Sequence, residues 1–595
     1  MIQLIAGIIL LAIPFILLDI FLDKKKGFIY VLFFLLLFHT ILAVLTQASG
    51  IFYYWLVLAI SALADLVLLV FYFRARNKKK LPFRFPKIDW ILLIVVAIAC
   101  LTLCQVHYNY TGKINLATDK LVSYHEVKNM EYIYPYFSDE WYAVSLIKHS
   151  INSHSLPVIN ILDNSFFLNL EMFFHSLTAE AMLLLGLNPL TQYILVSILI
   201  NILIIVLAYI FLRINNISKP VSAICSLSIL YIACGANLPG IWHLIPVHSG
   251  IVFSLIGFCF MASDNFIMAA LSSLPVIFFY PPLFVFYGLA LLVFFISRFR
   301  KIIKKHVEAT IYAIIVILLA LPVVYIILLI SPLSDFTKYI FSRVFYTSFY
   351  GPNITNINFY NIIPWPIILL ALIGLPQVFK TKKWLFSAFL LGAVFWFFYS
   401  FTINRFVIEY ERVVFFMSII VAIISGFGLV RLEDYLKQKY KNFGPISLKY
   451  AEITAIILFL GLAPFYTQRE NWATITLVNI FNGVKSYPKA PVNNYLTKDD
   501  LRIFKDIKNK KFLSTPWKGT VIGVATENYP VSTKQGTISV GDEKTVDIFL
   551  SSNCDGKKSI AKKYNLDYVY IDDFNCPGFE KIDNSEEGLI LYKVP

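Results

Sequence analysis

A chain of 595 residues that is 58% apolar, carries 53 phenylalanines and is only 15% charged, with a mean hydropathy of +0.72, is not an ordinary soluble domain. The bilayer is its solvent. Its net charge of +15 sits in short Lys/Arg stretches between apolar runs, as the positive-inside rule expects, which sets nucleic-acid binding aside.

Runs of 17 to 25 apolar residues mark spans. The first four are 2–22, 28–46, 52–73 and 90–106. The first is read as a retained span, because no basic n-region or small-residue cleavage site accompanies it. Lys24, Lys25 and Lys26, and the cluster from Arg74 to Lys87, are assigned to the cytoplasm. The segment 110–188 then faces outward, and a loop of that length is expected to be functional.

Within it, 166–187 is apolar enough to span but contains Asn169, Glu171, His175, Ser176 and Glu180. Charge parity decides against a span. A crossing there would put the basic stretches 298–305, 380–383 and 431–449 outside, whereas an interfacial amphipathic helix keeps all three inside. The remaining spans are 190–212, 223–236, 251–261, 266–279, 283–296, 311–329, 362–378, 385–401, 413–430 and 453–465.

The expected fold class is therefore a polytopic α-helical membrane protein of about fourteen transmembrane helices. Outward loops fall at 240–248, 331–360 and 402–412. The tail 467–595 is outward as well, with alternating segments 520–525 and 547–550, a polar helical stretch 557–564 and the run 568–571. It reads as a small extracytoplasmic α/β domain, in which Cys554 and Cys576 are close enough in sequence to pair in an oxidising compartment. Residues 1–87 are additional N-terminal helices, and 88–466 the membrane core.

Asp139 and Glu140 open a short helix, 139–151, in the first outward segment. The plain reading is a capped helix, with Ser138 as N-cap and acids in the first turn. The functional reading rests on position, since both acids sit above the membrane surface.

A long outward loop with an Asp-Glu pair, a juxtamembrane amphipathic helix, many spans and an outward tail resembles the GT-C superfamily of glycosyltransferases. It is closest to the protein-mannosyltransferase-like and aminoarabinose-transferase-like, family 39-type branches. The stretch Tyr136-Phe137-Ser138-Asp139-Glu140-Trp141-Tyr142 is the sharpest point of resemblance.

The resemblance implies a polyprenyl-phosphate sugar as donor, an outward-facing glycan, lipid or protein hydroxyl as acceptor, and Asp139 as the catalytic acid of the pair. One base and one cation suffice, because a phosphate leaving group needs no general acid. Glu140, about 100° round the helix, either positions the acceptor or stabilises the loop. A glycoside hydrolase, with two carboxyls facing each other, does not fit adjacent helical acids.

For the carrier phosphate, Arg412 is the first choice and Arg405 the second, both in the outward loop with Glu409 and Glu411; the alternative is an arginine snorkelling beside Glu409 or Glu411. Glu171 and His175, four apart, either face the same site or form a polar face turned to water. Relatives often open this helix with a proline pair, where Asn169-Leu170-Glu171 stands here. His243 and His248 lack a third ligand for a metal. No cofactor is firmly implied, and a divalent cation on carboxylates stays open. Asp65, alone in mid-span, is expected to be a buried contact between helices. The alternatives to a transferase are a transporter or flippase of lipid-linked glycans, which normally places ionisable groups inside its bundle, and a non-catalytic scaffold for envelope glycan assembly.

Overall fold

The computed structural model describes residues 2–18, 27–79, 89–108, 114–115, 124–125, 132–133, 138–166, 169, 171–232, 240–305, 363–402, 410–439, 496–534, 539–585 and 588–595. The expected spans 311–329 and 453–465 lie outside them, as do Arg405 and Glu409.

The membrane part begins with helices α1 (Ile2–Leu18), α2 (Gly27–Ala48), α3 (Tyr54–Lys79) and α4 (Trp90–Tyr108). Next come three two-residue strands, β1 (Ile114–Asn115), β2 (Tyr124–His125) and β3 (Tyr132–Ile133), then α5 (Ser138–Ser153), a small hairpin of β4 (Ile159–Asn160) and β5 (Ser165–Phe166), and α6 (Met172–Leu185). The core continues with α7 (Pro189–Ile214), α8 (Lys219–Leu227), α9 (Pro246–Ala262), α10 (Phe266–Leu271), α11 (Ser273–Phe279), α12 (Phe284–Lys305), α13 (Trp365–Thr381), α14 (Lys383–Thr402) and α15 (Tyr410–Lys439). Among the described residues, five helices are long and apolar enough to cross a membrane. Large apolar side chains on their outer faces, such as Trp55 at 73% and Leu63 at 60% exposure, are explained by a lipid environment.

Local chemistry sets the helix ends. Asn188 caps α7 by accepting from the amide of Leu190 at 2.8 Å, with Pro189 in the first position. Pro246 likewise starts α9 five residues before the expected 251, so His248 belongs to a helical first turn and not to a loop. Gly374 and Gly428 let α13 and α15 touch backbone to backbone: a Cβ at Gly374 would sit 2.6 Å from the Ile424 carbonyl oxygen. Small residues serve this purpose where lipid removes the hydrophobic drive for helix association.

On α7, Tyr193 donates to the Leu244 carbonyl at 2.6 Å, while Tyr209 donates to Asp89 at 3.1 Å. Sixteen residues separate the two tyrosines, roughly 24 Å of helix. Lys219, paired with Asp89 at 3.1 Å, therefore belongs to the end remote from the 240–245 loop.

Helix α6 begins and ends at one end of the α1–α2 hairpin. Ser176 bonds to Gln47 at 2.7 Å, near the end of α2, and Gly186 lies against Gln3, near the start of α1. Its mid-point is tied to α2 by His39 and Glu180 at 2.7 Å. Asp65 is buried beside this pair, in electrostatic contact with His39, which agrees with a contact between helices.

The C-terminal part contains β6 (Leu496–Thr497), α16 (Lys498–Ile503), β7 (Lys511–Ser514), α17 (Pro516–Thr526), β8 (Tyr529–Pro530), α18 (Lys544–Ser551), α19 (Cys554–Tyr564), β9 (Tyr568–Ile571), β10 (Glu580–Asn584) and β11 (Ile590–Lys593). Its five-stranded sheet has the order β10-β11-β9-β7-β8, with β7 parallel to β8 and β9, and β11 antiparallel to β9 and to the edge strand β10. Helix α19 and strand β9 cover the stretches 557–564 and 568–571 that the pattern marked.

The alternating segments 520–525 and 547–550 are corrected: both are helical, within α17 and α18. Pro516 opens α17, and both faces of the run are buried, so Val521, Ile522 and Val524 need no strand to hide them. Cys554 and Cys576 form a disulfide with a Cα–Cα distance of 5.3 Å and a sequence separation of 22. Replacing both by serine should lower the stability of this domain by about 3 kcal/mol, the chain-entropy value for such a loop, read as a lower unfolding midpoint without reductant.

Candidate active site

The site forms where three separate stretches meet: the first turn of α5, the loop before α9 and the first turn of α15. Asp139 and Glu140 follow Ser138 at the start of α5, where their charges complement the orphan amides of the helix end. Being adjacent, they diverge by about 100°, and each meets a different partner.

Asp139 reaches α15. Its Oδ2 accepts from a guanidinium nitrogen of Arg412 at 2.8 Å; the Arg412 side chain is 10% exposed and that of Asp139 41%. The two residues are 273 positions apart. This contact between distant positions is not among the expectations for Arg412, which have it as a phosphate clamp or beside Glu409 or Glu411.

Glu140 is wholly buried. Its Oε1 accepts from the amide of Leu244 at 2.9 Å, and its Oε2 lies 3.5 Å from Nδ1 of His243. The same loop is held from α7, where Asn201 donates to the His243 carbonyl at 3.1 Å, and from α9, where Nε2 of His248 meets the Gly240 carbonyl at 2.8 Å. Glu140 thus anchors the 240–245 loop beside Asp139. Glu140→Ala should orphan the buried Leu244 amide and lower stability by about 1–3 kcal/mol, whereas Glu140→Gln keeps an acceptor and should lose less; paired thermal-unfolding curves measure the difference.

His175 and Glu171 do not form a common polar face. His175 is completely buried, its Nδ1 accepting from Asn169 Nδ2 at 3.1 Å and its ring standing edge-on to Tyr142 at 5.3 Å. Burial pushes its pKa down to about 3, so the imidazole is neutral. Asn169 also donates to the Pro157 carbonyl at 2.7 Å and accepts from the Glu171 amide at 3.1 Å. His175 therefore braces α5 from behind, through Tyr142, one turn from Asp139. Glu171 is half-buried at the start of α6, without a side-chain cap bond.

The residues sequence reasoning undervalued are His243 and its loop. Their spacing lacks a metal site, yet a histidine just before a helix-opening proline and next to a buried acid makes a loop anchor. Among the described residues, no three His, Cys, Asp or Glu side chains gather as a metal site.

No family model and no curated protein matches the sequence. Two crystal structures of the Archaeoglobus fulgidus oligosaccharyltransferase are similar in form. One, tethered by a disulfide to an acceptor peptide containing the NVT sequon, has a TM-score of 0.44 and 13% identity over 82% of this chain and 69% of that one. The other, in complex with zinc and sulfate, has a TM-score of 0.43 and 12% identity over 85% and 74%.

Proposed function

We propose that this chain is a membrane glycosyltransferase that moves a sugar from a polyprenyl-phosphate carrier to an acceptor hydroxyl on the extracytoplasmic face, with inversion. The supporting observation is the Asp139–Arg412 contact of 2.8 Å, which sets a half-exposed carboxylate against a guanidinium suited to phosphate.

In this mechanism the carrier phosphate takes over Arg412 and releases Asp139. The carboxylate accepts the proton of the acceptor hydroxyl, whose oxygen attacks the anomeric carbon from the face opposite the phosphate. The bond from that carbon to the phosphate oxygen breaks, and the leaving phosphate stays on Arg412. Arg405 is a second phosphate ligand, and Glu140 keeps the 240–245 loop in place.

A transporter is less well supported. Among the described residues of helices α7 to α15, the buried His, Asp, Glu, Lys and Arg side chains are His248, Glu411 and Arg412, all in first helical turns and not in mid-bundle. The test is sugar transfer by purified protein in lipid nanodiscs from a panel of synthetic polyprenyl-phosphate sugars, with and without chelator. Transfer from at least one donor is expected, and the chelator arm reads the need for a divalent cation. No transfer from any donor, together with movement of a lipid-linked glycan across proteoliposomes, would overturn the proposal.

A further inference from the structure

The C-terminal domain touches the helix that carries Asp139 from both sides. Ahead of the helix, Tyr132 and Ile133 of β3 pair antiparallel with Thr497 and Leu496 of β6. Behind Asp139, Lys148 of α5 donates to the carbonyl oxygens of Val524 at 2.9 Å and Ala525 at 3.3 Å. These are last-turn carbonyls of α17, which lack partners within their own helix and carry the negative end of its dipole. Lys148 lies nine residues beyond Asp139, roughly 13.5 Å along the axis.

The two anchors are joined to each other inside the domain. Thr497 and Asp500 form a reciprocal cap, each backbone amide donating to the other's side chain at 3.0 Å. Asp500, fully buried, also receives Lys518 of α17 and the hydroxyl of Tyr570 at 2.9 Å. The contacts therefore close a ring: β3 to β6, β6 to Asp500, Asp500 to Lys518, along α17 to its last turn, and through Lys148 back to α5. Packing tightens it, since a Cβ at Gly523 of α17 would lie 2.8 Å from Leu162 of the segment that follows α5.

We infer that the C-terminal domain is a positioning element for the helix bearing Asp139, and that Lys148 is the positioning residue through which it acts. Arg412 comes from the membrane core, whereas the helix carrying Asp139 is held both by that core, through Glu140 and Tyr142, and by this ring. The domain thereby helps set the distance between the two groups. The inference rests on the proposed role of Asp139, and a misplacement of about 1 Å at a reacting group lowers rates by about a hundredfold.

The test uses the full chain in nanodiscs, wild type against Lys148→Met and Lys148→Arg, with hydrogen–deuterium exchange and transfer kinetics measured on each. Lys148→Met should raise amide exchange across 138–153 by about tenfold while α19 and β9 stay protected. It should lower kcat by about ten- to a hundredfold with the donor KM unchanged, and Lys148→Arg should restore both. Unchanged exchange in 138–153 would overturn the inference, as would faster exchange with unchanged kcat. If the wild type transfers no sugar, the proposed function fails, while the exchange comparison still decides whether the domain holds this helix.

Discussion

Asp139→Asn should lower sugar transfer by about 10²- to 10⁴-fold, the range for removing a general base, in a protein that folds and binds donor normally. The amide keeps an oxygen that can accept from Arg412, so the 2.8 Å contact between α5 and α15 survives in geometry. What is lost is the ability to take a proton. The effect should therefore fall on kcat and leave donor KM nearly unchanged, the signature of an interaction used in the transition state. Because the Asp139 side chain is 41% exposed, the change buries no new unsatisfied group, and thermal unfolding should match wild type. Full activity in this variant would remove Asp139 from the mechanism.

Charge and periodicity carry the membrane part of the fold a long way. The runs read as apolar spans mostly fold as helices, and Asp89 and Lys219 lie at the opposite end of α7 from the loop held by Tyr193. Asp139, Glu140 and Arg412 stand out in the sequence as charges beside apolar runs. Their pairing does not, because it joins positions 273 apart and depends on how α5 and α15 meet in space.

His175 shows a second limit. Four residues from Glu171 on an amphipathic pattern, it fits a water-facing polar stripe, yet tertiary contacts with Asn169 and Tyr142 bury it entirely. In the tail, alternation in 520–525 has the strand period, but a helix enclosed on all sides needs no amphipathic period and the opening proline favours it.

Arg412→Met tests the other half of the proposed chemistry. Methionine approximates the aliphatic stem of arginine and suits a side chain that is 10% exposed, while removing the planar donor array a phosphate would use. Asp139 is left partly hydrated, so the loss of a half-exposed ion pair should change stability by no more than about 1 kcal/mol.

Catalysis should suffer far more: kcat/KM for the polyprenyl-phosphate donor should fall by about 10²- to 10³-fold, as when one preorganised charge stabiliser is removed. Both parameters should move, since the guanidinium would hold the carrier phosphate in the ground state and more strongly as it departs. Arg412→Lys, a point charge without the fork, should recover part of the loss. Combining Arg412→Met with Asp139→Asn should cost less than the product of the single effects if the two groups act as one unit. A strictly multiplicative double mutant would show that they act independently, and an Arg412→Met protein with wild-type kinetics would shift the phosphate site to Arg405.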